Sequence, residues 1–399
     1  MSKQVQDAYI VAATRTPVGK APRGLLKNYR SDDLLVHVMR AALAQVPNLD
    51  PKLIEDAIIG CAMPEGDQGM NVARIGALLS GLPDTVGGVT VNRFCASGIT
   101  AIQMAADRIR VGEADVMIAG GTESMSRVPM GGFHPSFNPA IFANNEHVGI
   151  AYGMGMTAEK VAQQWKVSRE EQDAFALASH QKALAGIAAG EFNEEITPLD
   201  IVEKFPRLGT AEVDIKTRKM TVDEGPRADT TLEALARLKP VFAAKGSVTA
   251  GNSSQTSDGA GALILVSEKI LKQFNLVPLA RFVSFAVRGV PPEIMGIGPK
   301  FAIPAALEKA GLKLDDIGWI ELNEAFAAQS LAVVKDLGIN PEVLNPLGGA
   351  IAWGHPLGAT GAVRAATAIY GMRRRKAKYS MVTMCIGTGQ GAAGIFENV

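Results

Sequence analysis

The 399-residue sequence predicts an α/β fold made of two similar halves, with an extra segment inserted into the first. Three observations predict it. Short apolar runs alternate with segments of helical spacing. The runs are apolar almost throughout, as in strands covered by helices on both faces. And a pattern near residue 91 recurs near residue 344. The first copy reads Val-Asn, a short loop, Cys95, a helix, then DVMIAGG. The second reads Leu-Asn, a Gly-rich loop, His355, a helix, then SMVTMCIGTG. AIIGCAMPEG likewise resembles WIELNEAFAA. Two such halves stacked about a pseudo-twofold axis would bring Cys95 and His355 together.

The elements follow in order. DAYIVAATRTPVG reads as a strand ending in a turn, and DDLLVHVMRAALAQV as a helix with Ser31 and Asp32 as caps. IEDAIIGCAMPEG is a strand with a loop behind it, and NVARIGALLSGL a helix. VGGVTVNRFC is a strand, ASGITAIQMAADRIRVG a helix, and ADVMIAGGTES a strand. From about Met125 to Lys245 the chain is loop-rich and more polar, apart from the helical SREEQDAFALASHQKALAG. Alternation then resumes, and a final region begins near Pro278. The expected division is a first half over 1–275, with core 1–124 and 246–275 around an inserted loop domain 125–245, and a second half over 276–399.

Hydrophobic residues make up 47% and charged residues 20%, enough for a large core and against extensive disorder. Forty basic residues balance forty acidic ones, so no overall field draws nucleic acid, and an anionic partner needs a local basic patch. No apolar run has membrane-spanning length, and neither end carries a recognisable targeting signal. A cytoplasmic protein with no membrane insertion is expected.

The three cysteines, Cys61, Cys95 and Cys385, are far apart, which argues against a disulfide framework. The five histidines show no ligand spacing with them, which argues against zinc. Neither a metal nor a permanently bound cofactor is expected. TAGNSSQTSDGAG lacks a P-loop lysine, and no GxGxxG follows the first strand, so nucleotide chemistry is not indicated.

Cys95 falls where a strand gives way to a helix. Unpaired N–H groups at a helix N-terminus lower a thiol's pKa and favour the thiolate. Ala96, Ser97 and Gly98 leave room for a substrate. On this segment alone, a cysteine packed as a small hydrophobe is the better reading. His355 sits among glycines 348, 349, 354, 358 and 361, where the backbone turns sharply or nears a ligand, with Pro356 suited to the first turn of the next helix. A structural histidine is the alternative. Cys385 opens IGTGQGAAG, whose backbone N–H groups suit an oxyanion. The competing reading is a core cysteine. Asn323 in ELNEAFAAQ reads locally as a helix cap, and Cys61 as structural. Lys216, Arg218, Lys219 and Arg227 form a candidate basic patch for phosphate groups.

Taken together, NRFCASG around Cys95, NEAFA from Asn323, GGAIAWGHPLGATG around His355 and CIGTGQGAAG from Cys385 resemble the thiolase family over the whole chain. The resemblance implies a thiolase-like fold and cleavage of 3-ketoacyl-CoA by free CoA to acetyl-CoA and a shortened acyl-CoA. It implies Cys95 as the acylated nucleophile, His355 as its proton acceptor and Cys385 as proton donor and acceptor. Asn323 would hold a water that supports an enolate oxygen, and the N–H of Gly387 would join that of Cys95 in an oxyanion hole. The inserted domain would cover CoA, with Arg227 and Ser254 touching it, while Met154 and Phe326 line the acyl pocket. CoA is a co-substrate, and a homodimer or homotetramer is expected.

Within the family the motifs are most like degradative 3-ketoacyl-CoA thiolases of β-oxidation. The alternative is a short-chain acetoacetyl-CoA thiolase. Those carry a His where this chain has Gly153, which implies more room here. Trp353 replaces a smaller aliphatic residue and is expected to narrow the pocket again. A ketoacyl-synthase-type condensing enzyme would want a second histidine at Asn323, and a non-catalytic CoA-binding relative would have lost a catalytic residue.

Overall fold

A computed structural model describes residues 6–399. Its strands are β1 (Ala8–Arg15), β2 (Gly19–Lys20), β3 (Asp56–Gly60), β4 (Gly87–Val91), β5 (Val116–Ser124), β6 (Leu199–Pro206), β7 (Val213–Met220), β8 (Ser257–Ser267), β9 (Ala280–Gly289), β10 (Ile317–Leu322), β11 (Tyr379–Ile386) and β12 (Gln390–Glu397). The main sheet runs β10-β11-β12-β9-β1-β8-β5-β3-β4, with β2 paired to β8. Read inward from either end, the order mirrors itself: a parallel pair (β3 with β5, β10 with β11), then antiparallel strands up to the β1–β9 junction. An isolated parallel bridge from Ile320 to Leu344 takes the place that β4 holds beside β3.

β5 and β8 are buried along their whole length, the polar Thr122, Glu123, Ser124, Ser257 and Asp258 included. Helix Ser31–Gln45 packs Leu34, Leu35, Val38 and Met39 on one face of the first half. The other face receives helices Ser97–Arg110 and Leu357–Arg374, which share one core cluster. These helices touch almost backbone to backbone. A Cβ on Gly98 would lie 2.7 Å from the Ala362 nitrogen, and one on Gly361 would lie 2.1 Å from the Ile99 nitrogen. Only glycine permits that approach, and it fixes how the two halves meet.

Several local expectations change. Helix Ser31–Gln45 begins at Ser31 itself, with Arg30 before it and no side-chain cap. Asp67, from another loop, instead accepts the Ser31 N–H at 3.3 Å, and the Ser31 hydroxyl meets that of Thr122 at 2.9 Å. The strand before Cys95 stops at Val91. Pro356 precedes the helix that begins at Leu357 rather than lying in its first turn. In the insertion, IKTRKM belongs to β7, which pairs with β6 in a separate two-stranded sheet. All its side chains but that of Met220 are exposed, so no buried face marks it as a strand. Among the described residues no helix is long and apolar enough to cross a membrane.

Candidate active site

Cys95 sits in a single 3-10 turn, Phe94–Ala96, between β4 and helix Ser97–Arg110. The turn is held tightly. Asn92 Oδ1 accepts the Phe94 N–H at 2.8 Å, and Ser97 Oγ accepts the Arg93 N–H at 2.9 Å while donating to the Phe94 carbonyl at 2.7 Å. Phe94 takes the left-handed conformation, φ 44°, which is costly for a bulky residue and persists only where its surroundings impose it. The strain aims Cys95 into a cavity of about 430 Å³.

His355 and Cys385 line the same cavity. The sequence separates them from Cys95 widely; the touching central helices and the mirrored sheet bring them together. His355 is 5% exposed, and its Nδ1 lies 2.6 Å from Thr360 Oγ1, one helical turn on. Its Nε2 lies 3.3 Å from Asn323 Nδ2. An amide nitrogen can only donate, so with Asn323 so oriented Nε2 is the acceptor and Nδ1 carries the proton, donating it to Thr360. Nε2 therefore carries the free lone pair of the ring, and His355 lines the cavity. Asn323 Oδ1 is buried with no partner among protein atoms, as suits a group kept for water or substrate.

The electrostatics differ from the expected thiolate. Burial pushes the Cys95 thiol up to about 12, against the lowering effect of the N–H groups of Gly387 and of Cys95 itself, both directed at the sulfur. Burial and then the Arg364 charge push His355 down to about 3. Cys385 is raised, first by burial and then by Cys95 close by. The substrate-free site thus holds a neutral thiol beside a neutral imidazole. The pull of the helix start on Cys95 is outweighed by the loss of water around the sulfur.

Met154 and Phe326 line the cavity with Met125, Met130, Met156, Met295 and Phe242. Phe242 meets Phe326 edge to face at 6.1 Å. A Cβ on Gly153 would meet nothing within 4 Å, so the wall there is open. A Cβ on Gly387 would stay beyond 3.6 Å from Met154 and Phe94, so the value of Gly387 to the site lies in its N–H rather than its size.

Trp353 does not narrow the cavity. It is 1% exposed and turns into the core, where Arg364 lies 3.7 Å and Arg15 5.2 Å from its ring centre. Arg15 is bound to Glu195 and Asp223 of the insertion at 2.7 Å each, and Arg364 to Glu321 at 2.9 Å. The indole thus lies against two paired cations.

Arg227 lines a second cavity of about 220 Å³ with His180, Asp229 and Leu235. Ser254 instead faces the first cavity, and Gln255 borders both. Lys216, Arg218 and Lys219 stay on the β7 hairpin and do not join Arg227 at the cavity. Cys61 is buried beside Glu123, outside either cavity.

Thr360, Gln255 and Glu123 escaped the sequence reading. Thr360 had a usable signal, a hydroxyl one turn after His355 in HPLGATG. Gln255 and Glu123 act through partners distant in sequence and had none.

Comparison with known proteins bears on this arrangement. The family model described as "Thiolase, N-terminal domain" matches residues 8–269, and "Thiolase, C-terminal domain" matches 276–398. A 3-ketoacyl-CoA thiolase of Bacillus subtilis is 48% identical over 394 residues, covering 98% of this chain and 100% of its own. The crystal structure of human mitochondrial 3-ketoacyl-CoA thiolase in complex with CoA superposes with a TM-score of 0.88 at 40% identity, covering 99% of each chain. The acetyl-CoA acetyltransferase of Bacillus anthracis gives 0.89 at 39% identity, covering 100% of each.

Proposed function

The chain belongs to the thiolase family, and on that premise we propose that it is a 3-ketoacyl-CoA thiolase, an acyltransferase of fatty acid β-oxidation. It cleaves 3-ketoacyl-CoA with free CoA to acetyl-CoA and a shortened acyl-CoA. The observation that carries this reading is the meeting of Cys95, Cys385 and His355 at one apolar cavity.

The neutral pair sets the first step. Cys95 Sγ attacks the C3 carbonyl carbon as its proton passes to His355 Nε2. The developing oxyanion is met by the N–H groups of Cys95 and Gly387. The C2–C3 bond then breaks, leaving the acyl group on sulfur and an acetyl-CoA enolate. His355, now protonated, and Asn323 support the enolate oxygen while Cys385 delivers its proton to C2. In the second half, the Cys385 thiolate takes the proton of incoming CoA, whose sulfur attacks the thioester. Cys95 leaves and recovers its proton from His355. Protons balance over the cycle, and each cysteine ends as it began.

CoA is a co-substrate held by the insertion, with Arg227 at the second cavity and Ser254 at the mouth of the first. The methionine-rich wall and the open side at Gly153 favour acyl chains longer than acetoacetyl. The likeness to an acetyl-CoA acetyltransferase supports the short-chain alternative. A homodimer or homotetramer in the cytoplasm completes the proposal. Thiolysis followed by loss of enolate absorbance, compared between acetoacetyl-CoA and 3-ketooctanoyl-CoA, tests it. Faster turnover of the longer substrate is expected; a strong preference for acetoacetyl-CoA overturns the subtype, and no thiolysis of either overturns the activity.

A further inference from the structure

His355 leaves a short helical turn, Ala350–Trp353, through Gly354, whose φ of 103° only glycine adopts readily. With Gly349 on its other side, this turn has little intrinsic rigidity, and something outside it must hold it. The inserted segment lies directly upon it: a Cβ on Gly225 would come within 2.2 Å of the Ala352 carbonyl oxygen. Between the two stands Gln255. Its Nε2 donates to the carbonyls of Ala352 at 2.9 Å, Ile351 at 3.0 Å and Gly225 at 3.1 Å, two hydrogens serving three acceptors. Its own carbonyl accepts the His355 N–H at 3.2 Å. The same carbonyl accepts the hydroxyl of Ser257 at 2.9 Å, and Ser257 Oγ lies 3.1 Å from the His355 nitrogen. One residue therefore grips the His355 turn by its side chain and His355 itself by its backbone. It also reaches the insertion two residues before Arg227, and it borders both cavities.

We propose that Gln255 is a positioning residue, whose amide holds the Ala350–Trp353 turn against the insertion and so sets where His355 Nε2 stands relative to Cys95. The role rests on the catalytic reading of Cys95 and His355 above. An imidazole displaced by a fraction of an ångström loses its hold on the thiol proton, because proton transfer requires hydrogen-bond geometry. Gln255 touches neither reacting atom; it acts through His355.

The test is the first-order rate constant of Cys95 alkylation by iodoacetamide at pH 7 in the substrate-free, full-length protein, read by peptide mapping. The wild type is compared with Gln255→Met, Gln255→Ala and His355→Ala. Methionine keeps the length of the glutamine side chain and removes its donor. His355→Ala is expected to lower the rate constant about tenfold. Both Gln255 variants are expected to lower it about threefold to tenfold. A merely structural defect lowers the amplitude, the amount of competent protein, and leaves the rate constant where it was. If His355→Ala lowers the rate constant and the Gln255 variants do not, the positioning role is overturned while the catalytic pair stands. If His355→Ala leaves it unchanged, both fall. Should one Gln255 variant fail to fold, the other decides.

Discussion

The matching ends of β5 and β11 carry opposite contents. Gly60 pairs with Gly121 at the end of β3, and Leu322 pairs with Thr383 at the end of β10. That register sets Cys61 against Asn323 and Glu123 against Cys385. The reciprocal approach of Gly98 and Gly361 likewise sets Gly358 against Cys95. At the first end, the buried Glu123 carboxylate accepts N–H groups from Ala62 at 2.7 Å, Gly358 at 2.8 Å and Met63 at 3.2 Å, and the Gln68 amide at 2.5 Å. Burial raises its pKa while these donors draw it back. At the second end a thiol replaces the carboxylate, Asn323 Oδ1 has no protein partner, and a cavity opens. The backbone donor that Glu123 occupies at Gly358 corresponds to the Cys95 N–H. One scaffold is closed by its own carboxyl group at one end and opens into a cavity at the other.

The comparison breaks most visibly at Cys95. Cys95→Ala is expected to lower thiolysis by about 10⁴-fold or more while leaving the thermal unfolding midpoint nearly unchanged. Full activity in that variant would remove the catalytic end altogether.

Next come the paired substitutions at the matching strand ends. Cys385→Ala should cost about 10³-fold in turnover and only about 1 kcal/mol in stability, measured by urea unfolding. Glu123→Ala should do the reverse. It strands several buried donors at a cost of about 3–5 kcal/mol, with turnover per folded molecule within about tenfold of wild type. Equal losses of stability in both variants would erase the distinction between a closed and an open end.

The open end should also be the acid-sensitive one. Burial holds His355 at about 3, below its ordinary 6.5. Between those values the unfolded chain binds a proton that the folded chain refuses, so stability rises with pH across this window and is lost as pH falls from 6.5 toward 3. His180, held at about 4 by burial and Arg227, adds to the same slope. Each contributes at most about 1.4 kcal/mol per pH unit. Urea titrations from pH 7 to 4 should show a shallower loss in His355→Asn than in wild type; an equal loss assigns the sensitivity elsewhere.

Trp353→Leu sharpens the comparison with the smallest effect on chemistry. Removing the ring between Arg15 and Arg364 should cost about 3 kcal/mol. The ratio of turnover on 3-ketooctanoyl-CoA to that on acetoacetyl-CoA should stay put, because Trp353 does not line the cavity. A changed ratio would return Trp353 to the acyl pocket.

Much of this was legible in the sequence because it was written locally. β5 shows itself by its apolar start VMIA, and Cys95, His355 and Cys385 stand out against glycine. The repeat also pointed to one place for Cys95 and His355, which line a single cavity, although it set His355 rather than Gly358 against Cys95. What was hidden depends on contacts between distant segments. Cys95 looked like a thiolate because its helix start is visible in sequence and its burial is not. Trp353 looked like a pocket residue because the cations Arg15 and Arg364 that stack on it lie far away. β7 hid because all its residues before Met220 are exposed. Glu123 and Gln255 are unremarkable letters at a strand end and in a polar loop, and only their partners reveal what they hold.

In the proposed cycle Cys95, rather than either other cysteine, carries the acyl group. Incubation with a 3-ketoacyl-CoA and no free CoA, acid quench and peptide mapping by mass spectrometry test it directly. The expected result is one acyl group per chain, on the peptide containing Cys95, released on adding CoA. An adduct on Cys385 or Cys61, or turnover with no adduct under any quench condition, would contradict it.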